Sequence, residues 1–281
     1  MDLTKEYKLT EKEHDLIFGQ IVKVFLHNKS STDNPSIVIL SGQPGCGKTE
    51  LIKHYRTVMF TDDNFCYINR DELRRFHPKS DEIFLLYNRR YAEITNPDAG
   101  AWARKLFDLA VERRLNIIFE VTMQSVQICE IIRRLSAHCY HIIISPMATP
   151  FIISTYSICN RYLIAKKETG KALFVPFSSH DEAYTAMIST LIQVVSEKYY
   201  NEIVVYSRDL NGCEEVTTVK DEDIPKVIKD CRSKILTIPQ RKKIILLAQN
   251  LILDLNKLGE YDIMDGFTVS YRKWQASLHD R

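Results

Sequence analysis

Net charge is the first thing this chain has little of. Its 38 lysines and arginines face 36 aspartates and glutamates, leaving +2 over 281 residues with both signs mixed along the sequence. No extended basic face of the kind that gathers DNA or RNA is expected, so nucleic acid is not the default partner. Paired cysteines are missing as well. The seven thiols (Cys46, Cys66, Cys129, Cys139, Cys159, Cys213 and Cys231) stand far apart, with no C-x-x-C pair and no histidine-rich zinc spacing. Neither a disulfide framework nor a metal cage is expected, and reduced thiols suit a cytoplasmic protein. No apolar run approaches the roughly 20 residues of a membrane helix, and the charged start Met1-Asp-Leu-Thr-Lys-Glu has no secretory apolar segment. A membrane is therefore not an expected partner, whereas export by a specialised secretion machine would leave no such mark. Internal repeats and low-complexity tracts are also absent.

What is present suits one large domain, or one domain with a modest appendage, since 45% of the residues are hydrophobic. Thr10-Glu-Lys-Glu13 is a capping-box pattern that opens a helix over 10–27, with Leu16, Ile17, Ile21, Val24 and Phe25 near a 3.6 spacing. Apolar runs at Ile37–Leu40, Phe65–Ile68, Asn116–Glu120, Tyr140–Ser145 and Glu202–Tyr206 read as strands. Between them lie helical patterns at Lys48 to about Met59, Ile83–Ala92, Trp102–Arg113, Val126–Leu135, Phe151–Lys167 and 181–198, with Thr95–Gly100 as a break. Buried strands alternating with helices predict an α/β fold: a parallel sheet of about five strands wrapped by helices, with its ligand cleft at the strands' carboxyl ends. Beyond about residue 220 the reading is helical only, over Asp223–Leu236 and Gln240–Leu258. The expected division is a catalytic domain over 1–219 and a helical extension over 220–281 that packs on it.

Gly42-Gln43-Pro44-Gly45-Cys46-Gly47-Lys48-Thr49 matches G-x-x-x-x-G-K-[ST] in full, between an apolar strand and a helix. Its glycines let backbone N–H groups converge on phosphate oxygens, and the following helix adds the positive end of its dipole. Lys48 is then expected to reach the β- and γ-phosphates of ATP or GTP, and the Thr49 hydroxyl to ligate Mg²⁺. Cys46 reads as a space-filling residue within the loop.

Acids follow two of the strands. Glu120 ends the Ile117-Ile-Phe119 run, where it either serves Mg²⁺ and substrate or is a surface strand-end acid. Asp71 follows the Phe65–Ile68 strand, where it either takes the proton of an attacking hydroxyl or caps the helix containing Glu72 and Leu73. Arg161 lies in the helix leading to the lysine-rich stretch Ala165–Lys171, suited to a lid over transferring phosphate; its other reading is a solvated face.

In order, Gly42–Thr49, Ile68-Asn-Arg-Asp71-Glu-Leu-Arg74-Arg-Phe-His77-Pro78, Ile117-Ile-Phe-Glu120-Val-Thr122, Asn160-Arg161-Tyr162 and Val205-Tyr206-Ser-Arg208-Asp209 resemble the zeta-toxin family of toxin–antitoxin kinases. The likeness runs from the N-terminal helix to about residue 212. It implies a P-loop kinase fold in which Lys48 binds phosphate, Asp71 is the catalytic base and Arg161 stabilises the transfer. Arg74, Glu120, Thr122 and Gln124 then fall on the substrate side. The acceptor it implies is the amino-sugar 3′-hydroxyl of UDP-N-acetylglucosamine, the role a growth-inhibiting toxin, and the partner a small helical antitoxin. Three positions depart from the pattern: Gln124 stands where an arginine is usual, Leu173 near the position of a lid arginine, and Arg104 in place of a glutamate. Lys166, Lys167 or Lys171 is the candidate replacement for the lid charge. A different nucleotide acceptor such as NAD, or a weakly catalytic nucleotide-dependent binding protein, is the alternative reading.

Overall fold

The computed structural model describes residues 2–216, 223–234 and 236–278. Seven strands form its central sheet: β1 (Ser36–Ser41), β2 (Cys66–Ile68), β3 (Ile117–Val121), β4 (His141–Ala148), β5 (Glu202–Ile203), β6 (Tyr206–Arg208) and β7 (Cys213–Glu215). The order is β2-β3-β1-β4-β6-β7, and β5 also pairs with β4. Every pairing is parallel except β6 with β7. β1 takes a central place because Ile37, Val38, Ile39 and Leu40 are wholly buried, and only a strand covered on both faces tolerates four successive apolar side chains.

Twelve α-helices surround the sheet among the described residues. In chain order they are α1 (Leu3–Glu6), α2 (Glu11–Phe25), α3 (Lys48–Val58), α4 (Arg70–Leu73), α5 (Ser80–Tyr87), α6 (Tyr91–Glu112), α7 (Gln127–Ala137), α8 (Phe151–Thr169), α9 (Phe177–Glu197), α10 (Ile224–Arg232), α11 (Ile238–Lys257) and α12 (Tyr261–Ala276). The capping box at the start of α2 forms as read: the Glu13 amide donates to the Thr10 hydroxyl, and the Thr10 amide donates to the Glu13 carboxylate. α2 belongs to the core, burying Ile17 and Ile21 in the cluster that also holds Trp102 and Leu106.

The expected break at Thr95–Gly100 does not occur, and α6 runs unbroken through Pro97. Ile94, Thr95, Asp98, Ala99, Trp102 and Leu106 form one buried stripe, and that packing outweighs the hydrogen bond lost at proline. The helix expected over Ile83–Ala92 is divided, since α5 ends at Tyr87 and a 3-10 turn over Asn88–Arg90 leads into α6. The run Glu202–Tyr206 splits into β5 and β6, which pair with successive parts of β4. β7 and α12 were not anticipated.

The 219/220 division lies within residues 217–222, outside the described residues. On its far side α10 places Ile224 and Ile228 in the main core. α11 and α12 build a second core with α8, in which Leu251, Leu255, Ile263 and Phe267 meet Ile152, Cys159 and Leu163. The apolar faces of α11 and α12 are thus covered by α8 and by each other.

Candidate active site

β1 delivers its chain straight into the loop Gly42–Thr49, and α3 carries it away. Two glycines there are required by space and conformation. Gly45 has φ +78° and a methyl group on it would sit 2.4 Å from the Ser154 carbonyl oxygen; Gly47 has φ +110° and would meet the Arg208 Cδ at 2.8 Å. Cys46 is fully buried and fills space beside Gly42. Lys48 is 8% exposed, its Nζ donating to the carbonyls of Gly42 (2.8 Å) and Gln43 (3.2 Å). Thr49, next in the chain, is exposed at the N-terminal turn of α3, where the first amides have no intrahelical acceptor.

Strand register assembles the rest. Leu40 of β1 lies opposite Glu120 of β3, which brings the Glu120 Oε1 to 3.8 Å from the Lys48 ammonium. Ile68 of β2 lies opposite Phe119, so the residues after Ile68 arrive beside Glu120. There the Glu120 Oε2 accepts from the Tyr67 hydroxyl (2.6 Å) and from Asn69 Nδ2 (2.8 Å). Burial, reinforced by the Glu120 charge, pushes the Tyr67 phenol far up, so it stays protonated and donates.

Asp71 is not the helix cap. Asn69 caps α4, its side-chain oxygen accepting from the Asp71 amide at 2.8 Å. The Asp71 carboxylate is left exposed, with 72% of its side chain accessible, and is oriented by one hydrogen bond from Arg74 Nε (2.9 Å). Arg74 itself is 6% exposed, and its other donors go to the Ala92 carbonyl (2.7 Å), Thr95 Oγ1 (3.0 Å) and Asn96 Oδ1 (3.4 Å). It was expected on the substrate side; the structure buries it behind Asp71, with its donors taken up by that carboxylate and by these acceptors. Arg74→Ala is expected to cost about 1–3 kcal/mol through the acceptors it strands. The thermal midpoint should fall for that reason, and turnover should fall with little change in KM for nucleotide. Arg74→Lys is expected to restore little, because an ammonium cannot reproduce the planar fork.

Two further arginines converge beside α6. Arg70 and Arg104 are both exposed and approach Gly100, a methyl on which would lie 3.9 Å from each. Although Arg70 is exposed as a residue, the surrounding protein partly desolvates its guanidinium, and this, followed by the like charge of Arg74, lowers its pKa. At the end of β3, Thr122 Oγ1 donates to Gln124 Oε1 (3.1 Å), and Gln124 Nε2 donates to the Ser179 carbonyl (3.4 Å). Buried Met123 between them has φ +54°, a left-handed turn costing about 1–2 kcal/mol in an L-residue. That turn carries Gln124 to α9.

Arg161 is exposed on α8, and no contact among the described residues brings it to Lys48, Glu120 or Asp71. Two of the three lysines proposed for the lid face elsewhere: Lys166 pairs with Glu260 (3.4 Å) and Lys167 with Asp254 (2.7 Å), tying α8 to the C-terminal helices.

Two residues that support the loop were given no role from the sequence. Arg208 donates from β6 to the Gly45 carbonyl (2.7 Å) and the Ser157 hydroxyl (3.3 Å); its signal was the Val205–Asp209 motif. Arg232, from α10, donates to Gln43 Oε1 (3.2 Å), and no local pattern announces it. Gln43 also donates to the Thr149 carbonyl and to Ser154 Oγ, which faces His180 Nε2 at 2.9 Å. Burial holds the His180 pKa low. Among the described residues there is no group of three or more histidine, cysteine or acidic side chains that could hold a metal ion by itself. No helix among them is long and apolar enough to cross a membrane.

A model of the family described as "Zeta toxin" matches residues 23–213. The chain is 23% identical over 204 residues to "Toxin zeta" of Streptococcus pyogenes, covering 71% of this chain and 70% of that one. It is 24% identical over 209 residues to "Toxin PezT" of Streptococcus pneumoniae, covering 73% and 80%. A solved structure from the PezAT chromosomal toxin-antitoxin system of Streptococcus pneumoniae superposes with TM-score 0.72 at 20% identity, over 92% of this chain and 100% of that one. The AvrRxo1-ORF1:-ORF2 structure with ATP superposes with TM-score 0.55 at 12% identity, over 81% and 73%. These likenesses establish the same fold.

Proposed function

Because the chain belongs to the zeta toxin family, we propose that it is a phosphotransferase that moves the γ-phosphoryl group of ATP, or GTP, to a hydroxyl of a sugar nucleotide. UDP-N-acetylglucosamine is the first candidate acceptor, and growth inhibition is the corresponding role. The observation that carries this reading is the register of β1, β3 and β2, which collects Lys48, Glu120, Asn69 and Asp71 at one edge of the sheet. A nucleotide-binding switch needs the lysine and a metal-side acid, while a phosphoryl acceptor also needs a carboxylate such as Asp71 to take its proton.

In the proposed reaction the loop amides and Lys48 hold the nucleotide phosphates. Glu120, fixed by Tyr67 and Asn69, offers Oε1 toward the same space. Thr49 fits Mg²⁺ through its exposed hydroxyl and Glu120 through Oε1, in the manner of an ion held by one or two protein oxygens plus phosphates, and the ion would neutralise developing charge. Asp71, oriented by Arg74, receives the hydroxyl proton. Thr122 and Gln124 face the acceptor. A small helical antitoxin is the proposed protein partner, in line with the PezAT toxin-antitoxin system of the fold neighbour.

A second acceptor class has a specific observation behind it. Arg70, the chain neighbour of Asp71, and Arg104 converge beside Gly100 and add positive charge there, and such a pair suits the phosphates of another nucleotide such as NAD.

The test is incubation of wild type and Lys48→Ala with Mg-ATP and a panel holding UDP-N-acetylglucosamine, other sugar nucleotides and NAD, read by mass spectrometry for one added phosphate. Phosphorylated UDP-N-acetylglucosamine from wild type alone is the expected product. Phosphorylated NAD instead would keep the reaction and move the substrate. No product from folded, ATP-binding protein would replace the enzyme with a nucleotide-dependent binding protein.

A further inference from the structure

A cavity of about 470 Å³ lies where α10, the start of α11 and the end of α12 meet α9 and the first turn of α8. None of Lys48, Asp71, Glu120 and Thr122 lines it. Its volume is within the roughly 300–1,000 Å³ of small-molecule sites. Four cations reach its wall, Arg232, Lys234, Arg241 and Lys273, together with the rings of Tyr184 and Trp274.

The negative charge nearby does not balance them. Asp181 also lines the cavity, 2.8 Å from His180 Nδ1, and sets one negative charge against these four positive ones. Lys234 has only an exposed pairing with Glu214 at 3.8 Å, and Arg241 donates to the Leu236 carbonyl, which carries no net charge. Lys273 has no ion pair among the described residues. Arg232 is the most constrained. It is 7% exposed, lies 4.1 Å from the Tyr184 ring centroid and faces no carboxylate, and its Nε has no hydrogen-bond partner among the described residues. A buried cation with an unspent donor is costly, and an anion nearby lowers that cost. The aromatic wall adds a flat apolar surface that an inorganic anion does not use, and the cavity is larger than such an anion needs.

We propose that this cavity binds a nucleoside monophosphate, its phosphate among Arg232, Arg241 and Lys273 and its base against Trp274. Since Arg232 also donates to Gln43 of the phosphate loop, the occupant sits one side chain away from the catalytic nucleotide.

Trp274 is a built-in reporter, because the other tryptophan, Trp102, is fully buried in the main core. The full chain, saturated with Mg²⁺ and the non-hydrolysable ATP analogue AMP-PNP, is titrated with AMP, GMP and UMP, and separately with inorganic phosphate. Tryptophan emission and calorimetric heat are followed, and Lys48→Ala is titrated the same way without AMP-PNP. At least one nucleoside monophosphate is expected to quench emission saturably in both proteins. Its affinity should fall tenfold or more in Lys273→Glu and Arg241→Gln, and Trp274→Phe should lose the quench. Absence of a saturable response, a response that survives Lys273→Glu and Arg241→Gln but vanishes in Lys48→Ala, or inorganic phosphate binding as tightly as the nucleotides would each overturn the proposal. The readout is binding, so it stands or falls apart from phosphoryl transfer.

Discussion

Asp71→Asn is expected to lower phosphoryl transfer by about 10²- to 10⁴-fold, the usual range for removal of a positioned general base, while nucleotide affinity and thermal midpoint stay near wild type. The structure explains why the effect should be confined to chemistry. The carboxylate is mostly accessible and makes a single hydrogen bond to Arg74, so little folding energy rests on it. Its backbone amide keeps its bond to Asn69 whichever side chain is present. Asparagine preserves size and hydrogen-bonding capacity but cannot take up the proton. Single-turnover product formation with saturating Mg-ATP is the measurement, with nucleotide binding followed in parallel. Transfer within a few-fold of wild type would remove Asp71 as the base and leave it a surface acid.

Trp102→Ala should carry the largest loss of stability, about 3–5 kcal/mol for truncating a fully buried large aromatic side chain. Trp102 is 0% exposed in α6, and its indole N–H donates to the His14 carbonyl at 3.0 Å while the ring stacks on His14 at 5.0 Å. It fastens α2 to the core, and Ile17 and Ile21 are buried alongside it. Urea unfolding of wild type and variant measures the difference. Removal of residues 1–30 should act on the same contacts and destabilise the protein. A folded, more active truncated protein would instead identify α2 as a built-in inhibitor. A second tie comes from His77, whose ring lies 3.0 Å from the Tyr7 carbonyl, so the stretch following Asp71 is braced by the N-terminus.

The phosphate loop was legible because its demands are local. Close approach of the backbone to phosphate requires glycine, the charge requires lysine, and the flanking strand and helix show in hydrophobic period. Asp71 and Glu120 could be singled out for a similar reason, each following an apolar strand whose carboxyl end faces the cleft. Their ambiguity was also local: an acid before a helix is as good a cap as a base. Asn69 removes only the cap reading, since it occupies the cap and leaves Asp71 exposed, and the base role is the proposal. Arg74 could not be placed from its spacing, because a buried arginine and a substrate-facing one have the same neighbours in sequence.

Length, hydrophobic period and the glycine–lysine loop determined the fold class, the phosphate site and the sheet edge at which chemistry is proposed, since these rest on backbone geometry and alternating burial. Tertiary contact decided the course of α6 through Pro97, the pairing of Lys166 and Lys167 with the C-terminal helices, and the support of Gln43 by Arg232. Those outcomes depend on which side chains from distant segments share a space, and a residue 189 positions away carries no local signal of that meeting.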